Sequence, residues 1–197
     1  MKGRRLAIPC VLLFLLAALS GCSSGGDGTA SAYVKDAVSN DFREVHLVIT
    51  QVSIHQSAGG NETAGWKVLF SGSVDVNLMN ASGTKAAFLG QADVPAGKYQ
   101  QMRIMASSAY GITTSGARVT IGLPNNDLKV VKGFKVDSGK ETQLVLDLDL
   151  EKSLKQKGAD WEFKPVIGKL YAAIKDKSDK PAAGKIGDVD LKDDAAE

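Results

Sequence analysis

Alternation between apolar and polar residues is the strongest signal in the chain. Val45, Leu47 and Ile49 alternate with His46, Val48 and Thr50, and Leu144, Leu146, Leu148 and Leu150 alternate with Gln143, Val145, Asp147 and Asp149. A period of two predicts strands with one face in a core and the other in water. Further short strands are expected at 32–35, 66–70, 74–78, 100–106, 117–121, 128–136 and 163–170. Turn residues separate them, among them Gly59-Gly60-Asn61, Ala81-Ser82-Gly83, Pro124-Asn125-Asn126-Asp127 and Asp137-Ser138-Gly139. Helical spacing is confined to a turn at 85–89 and a looser segment at 152–157. About eight short strands at this spacing predict an all-β fold, a two-sheet antiparallel β-sandwich of immunoglobulin-like or transthyretin-like kind.

Two prolines add detail. In Val94-Pro95-Ala96-Gly97-Lys98-Tyr99, Pro95 presets one turn dihedral and Gly97 can take a positive φ. The tyrosine entering the next strand is expected to cover one end of the sandwich and hydrogen-bond to backbone, as in a tyrosine corner. Pro165 marks a strand start, an edge or a bulge.

The first residues follow a different pattern. Lys2, Arg4 and Arg5 precede an apolar run from Leu6 to Leu19 that ends in Leu19-Ser20-Gly21-Cys22. That is the layout of a secretory signal, and as a helix the run falls well short of a hydrocarbon core of about 30 Å. Its end resembles the bacterial lipobox, which implies cleavage before Cys22 and acylation of that cysteine. Two or three acyl chains hold a protein firmly on a bilayer at about 0.8 kcal/mol per buried methylene. Ser23 after the anchor resembles an outer-membrane sorting signal, if the cell has two membranes; with one membrane the anchor faces outward. The expected organisation is a signal peptide at 1–21, a flexible tether at 22–31, the sandwich at 32–174 and a charged, disordered tail at 175–197.

Charge and cysteine content narrow the function. The chain has 24 basic and 22 acidic residues. Without Lys2, Arg4 and Arg5 the balance is 21 to 22, or about −1, which leaves no basic patch for nucleic acid. Cys10 departs with the signal and Cys22 carries lipid, so neither a disulfide nor a thiolate site is expected.

The segments Ala32-Tyr33-Val34-Lys35-Asp36-Ala37, Phe42 to Ile49, Val94 to Ile104, Leu146 to Ser153 and Phe163 to Ile167 together resemble domain of unknown function 4382. The resemblance covers about 32–171. It departs at Val38, where the family often has proline. It implies a β-sandwich at the cell surface and supplies no catalytic residues.

Candidate chemistry is sparse. His46 and His55 are the only histidines, and an odd spacing on a straight strand sends them to opposite faces. No Gly-x-Ser-x-Gly elbow is present. Asp147, Asp149 and, if the strand continues, Glu151 would share one face, about 6.6–7 Å apart between neighbours. Calcium needs six to eight oxygens, so such a site would draw on Asn125, Asn126, Asp127, Asp36 or Asp41. The plainer reading is a wet strand face, and carboxylates at this spacing could also serve a hydrolase. Trp66 and Trp161 are expected to pack against sheet or hairpin, with stacking on a sugar ring as the alternative. The sequence thus points to a non-enzymatic, lipid-anchored module of the cell envelope that binds an envelope protein or glycan. It needs no cofactor, with Ca2+ as an option, and its alternative is an accessory part of a surface assembly.

Overall fold

The computed structural model describes residues 26–36, 39–56 and 65–197, with the side chain of Asp36 outside that description. The strands run in order as β1 (Asp27–Asp36), β2 (Phe42–Gln56), β3 (Trp66–Asn77), β4 (Lys85–Pro95), β5 (Gly97–Thr113), β6 (Arg118–Gly122), β7 (Asp127–Val136) and β8 (Glu141–Leu148). A short helix α1 (Leu150–Ser153) precedes β9 (Leu154–Lys157), β10 (Asp160–Phe163), β11 (Ile167–Lys175) and β12 (Ile186–Asp188). A 3-10 turn at Leu78–Asn80 joins β3 to β4.

The strands form two sheets. One has the order β11-β8-β1-β4-β12; the other has β3-β2-β5-β6-β10-β9, with β7 also paired to β5. Leu47, Ile49, Val52, Ile54, Met102 and Ile104 face Ala32, Val34, Leu89, Leu144, Leu146 and Leu148 in one core. Gly90 permits this approach: a Cβ there would stand 2.7 Å from the Leu69 carbonyl oxygen. The fold is therefore the expected sandwich, with three refinements. Among the described residues twelve strands replace eight. The sheets are mixed, because β1 runs parallel to β8 and β10 parallel to β6. The predicted turn at 85–89 is strand β4, and the looser segment at 152–157 splits between α1 and β9.

The Pro95 turn works as its residues predict. Gly97 has φ 146°, and Tyr99 donates its hydroxyl proton to the Pro95 carbonyl at 2.8 Å. The Tyr99 ring is fully buried and stacks on Phe134 with centroids 5.7 Å apart. Burial, with the nearby Asp27 charge, pushes the phenol up to about 12. Pro165 lies just before β11, which has a bulge between Ile167 and Lys169.

Both chain ends depart from expectation, and one departure explains another. The signal, Cys22 and residues 22–25 lie outside the described residues, but 27–31 of the expected tether are strand. Ala30 and Ser31 are fully buried because β1 sits between β8 and β4. Residues 175–197, expected as a disordered tail, run from the end of β11 over the outer face of the five-stranded sheet to its other edge, where β12 pairs with β4, and back to β11. Val189 packs on Tyr33, Ala86, Phe88 and Val145, with Leu191 and Tyr171 at the margin. Consequently Gln143 and Val145, expected to be wet, are buried, and β8 is covered on both faces. A tail this polar is held by polar contacts. Lys180 Nζ lies 2.6 Å from Glu141 Oε2, which is itself almost fully buried, and Ser31 Oγ donates to Glu141 Oε1 at 2.5 Å. The Asp190 amide donates to Gln143 Oε1 at 2.7 Å.

Candidate functional site

The predicted acidic stripe does not assemble. Asp147 faces outward from β8 and pairs with Lys35 at 3.0 Å. Strand β8 ends at Leu148, so the alternation that would align Asp149 and Glu151 stops there. Asp149 instead caps α1, accepting from the Lys152 amide at 3.0 Å and the Lys152 ammonium at 2.8 Å. Those two Lys152 bonds hold its carboxyl below the ordinary carboxylate range. Glu151 is exposed on the helix.

The helper ligands are also dispersed. Asp41 lies beside Ser39, and Asp127 stands 4.0 Å from Arg103. Asn125 lines a depression of about 260 Å³ with Pro124, Phe163, Lys164 and Pro165, none of them acidic. Among the described residues no three histidine or carboxylate side chains gather as a metal would require. Another depression, of about 360 Å³, is lined by Thr29, Gln91, Ala92, Asp93 and Lys177.

The seven-stranded sheet has a different kind of surface. Among the described residues no segment crosses its outer face as one does on the other sheet, and alternation along β2 places Glu44, His46 and Val48 there between the buried Val45, Leu47 and Ile49. Cross-strand register sets Tyr110 of β5 opposite His46, and Asp75 of β3 opposite Val48. The rings of His46 and Tyr110 stack at 4.4 Å and 9°. Arg118, from β6, lies 3.9 Å from the Tyr110 centroid. His46 Nδ1 is 2.7 Å from Asp75 Oδ1, and its Nε2 is 3.0 Å from Glu44 Oε2. A neutral imidazole donates one proton and so serves one of these carboxylates; the imidazolium serves both. Tyr110 donates to Asp75 Oδ2 at 2.8 Å, and that bond raises its phenol above the ordinary value.

A second cluster occupies the other end of the same face. His55 of β2 is opposite Trp66 of β3, with ring centroids 4.9 Å apart. The Arg103 guanidinium lies 4.2 Å over the Trp66 ring. Both histidines thus stand on the outer face, because bulges in β2 between Val48 and Val52 offset the odd spacing. Around this cluster Val68, Met105 and Val131 are exposed, Val131 by 73%. Trp161 is turned the other way and packs edge-on against Phe42.

The face therefore combines fixed charges, two aromatic–cation pairs worth about 0.5–1 kcal/mol each where exposed, and three uncovered apolar groups. Both His46 nitrogens are engaged by carboxylates. Sequence reasoning located His46, His55 and Trp66 but missed Tyr110, Arg118, Asp75 and Arg103. Their only local signal is outward phase in a strand; register brings them together across tens of residues.

Comparison with known proteins places the chain in a family. The family described as "Domain of unknown function (DUF4382)" matches residues 27–165, well over half of the chain. No curated protein and no solved structure matches. No helix among the described residues is long and apolar enough to cross a membrane.

Proposed function

Since the chain belongs to the DUF4382 family, we propose that it is a lipid-anchored, non-catalytic module of the cell envelope that binds a protein partner. The partner docks on the outer face of β3, β2, β5, β6 and β7. One observation carries this reading: the two outer faces differ. Segments on either side of β12, carrying Lys180, Val189 and Leu191, cover one, while the other bears the exposed Val68, Met105 and Val131 among ordered charges.

A protein suits this face better than a glycan. Stacking a sugar on Tyr110 or Trp66 requires a free ring face, and His46, Arg118 and Arg103 already lie against those rings. The ordered Arg and aromatic side chains resemble the anchor residues of protein interfaces. The lipobox-like run before Cys22 supports the envelope address, at the outer membrane where the cell has two. Both features are tested in cells. Photo-crosslinking residues at Val68 and Val131 should each capture the same discrete adduct, and one at Ile186 on the opposite side should not. No adduct, or equal capture from both sides, would refute the docking face. The Cys22→Ser chain should leave the membrane fraction; if it stays, the anchor is wrong.

A further inference from the structure

Strand β11 is an edge of the five-stranded sheet, and β7 is at the border of the other sheet. An open edge offers unpaired amides and carbonyls to any extended chain. Here residues 193–197 occupy the seam between the two edges. The Ala172 amide donates to Asp193 Oδ1 at 3.1 Å, and the Ile174 amide donates to Asp194 Oδ1 at 2.7 Å. The Ala195 amide donates to the Ala172 carbonyl at 3.0 Å, while its own carbonyl accepts from the Lys135 amide at 2.9 Å. Phe134 and Ala196 form an antiparallel bridge, and the Glu197 amide donates to the Gly133 carbonyl at 3.2 Å.

Cations on the walls fit the acidic groups. Lys132 Nζ lies 2.6 Å from both Asp193 Oδ1 and the Leu170 carbonyl. Lys169 lies 3.1 Å from Asp193 Oδ2, and Lys98 lies 3.1 Å from Glu197 Oε2. Ala195 is fully buried, so the seam takes a small side chain there. The seam thus specifies its occupant: two carboxylates in sequence, then a small residue, in an extended backbone with a further acid beyond.

We propose that the β7–β11 seam is a recognition site for an extended acidic segment, filled here in cis by residues 193–197 and open to the same segment of a second copy. The exchange preserves every bond described above, which is why such swaps cost little. Residues 176–179, the link between β11 and the first buried anchor at Lys180, are all exposed and form the natural hinge. This site is separate from the open face of the other sheet, so either can fail without the other.

Amide exchange tests the proposal. In isotope-labelled protein carrying Asp193→Ala and Asp194→Ala, protection of the Ala172 and Ile174 amides should fall at least tenfold. Those of Tyr171 and Ala173, which point toward β8 by strand alternation, should hold. The Asp194→Ala chain alone should lose protection at Ile174, which gives a milder variant should the double one unfold. A capped peptide of residues 192–197 at millimolar concentration should restore both amides, and so should unlabelled wild-type chain in excess. Failure of either to restore them, or unchanged protection in the variants, overturns the proposal.

Discussion

Breaking the buried pair between Lys180 and Glu141 should destabilise the whole domain. The two side chains are only 5% and 1% exposed, and the only other partner described for Glu141 is Ser31. Lys180→Ala leaves a carboxylate under the crossing segment with one hydrogen bond and no cation. Removing one member of a buried pair costs about 3–5 kcal/mol, and at about 2–4 °C per kcal/mol for a chain of this size the melting point should fall by about 10 °C. Replacing both members by apolar groups of similar volume, Lys180→Met with Glu141→Leu, should recover most of that loss, since no charge is then stranded. Chemical denaturation of the four chains of the cycle gives the coupling directly. If Lys180→Ala stays within about 1 kcal/mol of the wild type, water reaches Glu141 freely and the segment does not seal that face.

Other outcomes follow from the same contacts. Tyr99→Phe keeps the stack on Phe134 and loses the bond to Pro95, so denaturation should show a loss of about 1 kcal/mol. Gly97→Ala forces a side chain into φ 146° with its Cβ 2.7 Å from Gln56 Nε2, and should cost more than Tyr99→Phe in the same assay. Asp93, Asp149, Asp176 and Glu162 all sit below their ordinary values, held by Thr29, Lys152, Lys140 and Lys157 respectively. Asp193 also sits low: burial pushes it up, but Lys132, Lys169 and the Ala172 amide together outweigh that. Folding therefore favours their ionised forms. This contribution is whole above the ordinary values of 3.8 and 4.5 and is lost as pH falls through the lower folded values. The urea midpoint should drop across that window, less steeply in high salt. Excess EDTA, or added calcium, should leave the melting point unchanged; a rise of several degrees with calcium would restore the acidic-stripe site.

Local pattern carried the fold where a strand has one wet face. Val45, Leu47 and Ile49 announced β2, and the Pro95–Gly97 turn announced the Tyr99 bond, because the cause of each lies within a few residues. Strand β8 misled for a reason outside itself. Its Gln143 and Asp147 read as solvent-facing, and the covering segment that buries Gln143 lies nearly fifty residues later. That segment in turn read as disordered, since Lys, Asp, Gly and Ala dominate it and only Ile186, Val189 and Leu191 are sizeable and apolar. Its order comes from carboxylates and ammonium groups matched to partners elsewhere, which composition does not encode. The sequence pattern starts β1 five residues late because Gly28, Thr29, Ala30 and Ser31 are small. They are small because a central strand has neighbours on both sides and little room above it. The outward residues of the candidate face were legible one at a time, whereas their grouping depends on register.

The placement of β1 has a mechanical consequence. Were the proposed lipid at Cys22 to hold the protein, any pull on it would reach the start of that strand, five residues further on. Residues 29–36 pair with β8 on one side, and residues 27–34 pair with β4 on the other. Tension along the strand therefore loads two hydrogen-bond ladders in shear, so the bonds must yield together and not peel one by one. The proposed anchor would thus pull on a strand held by two ladders at once.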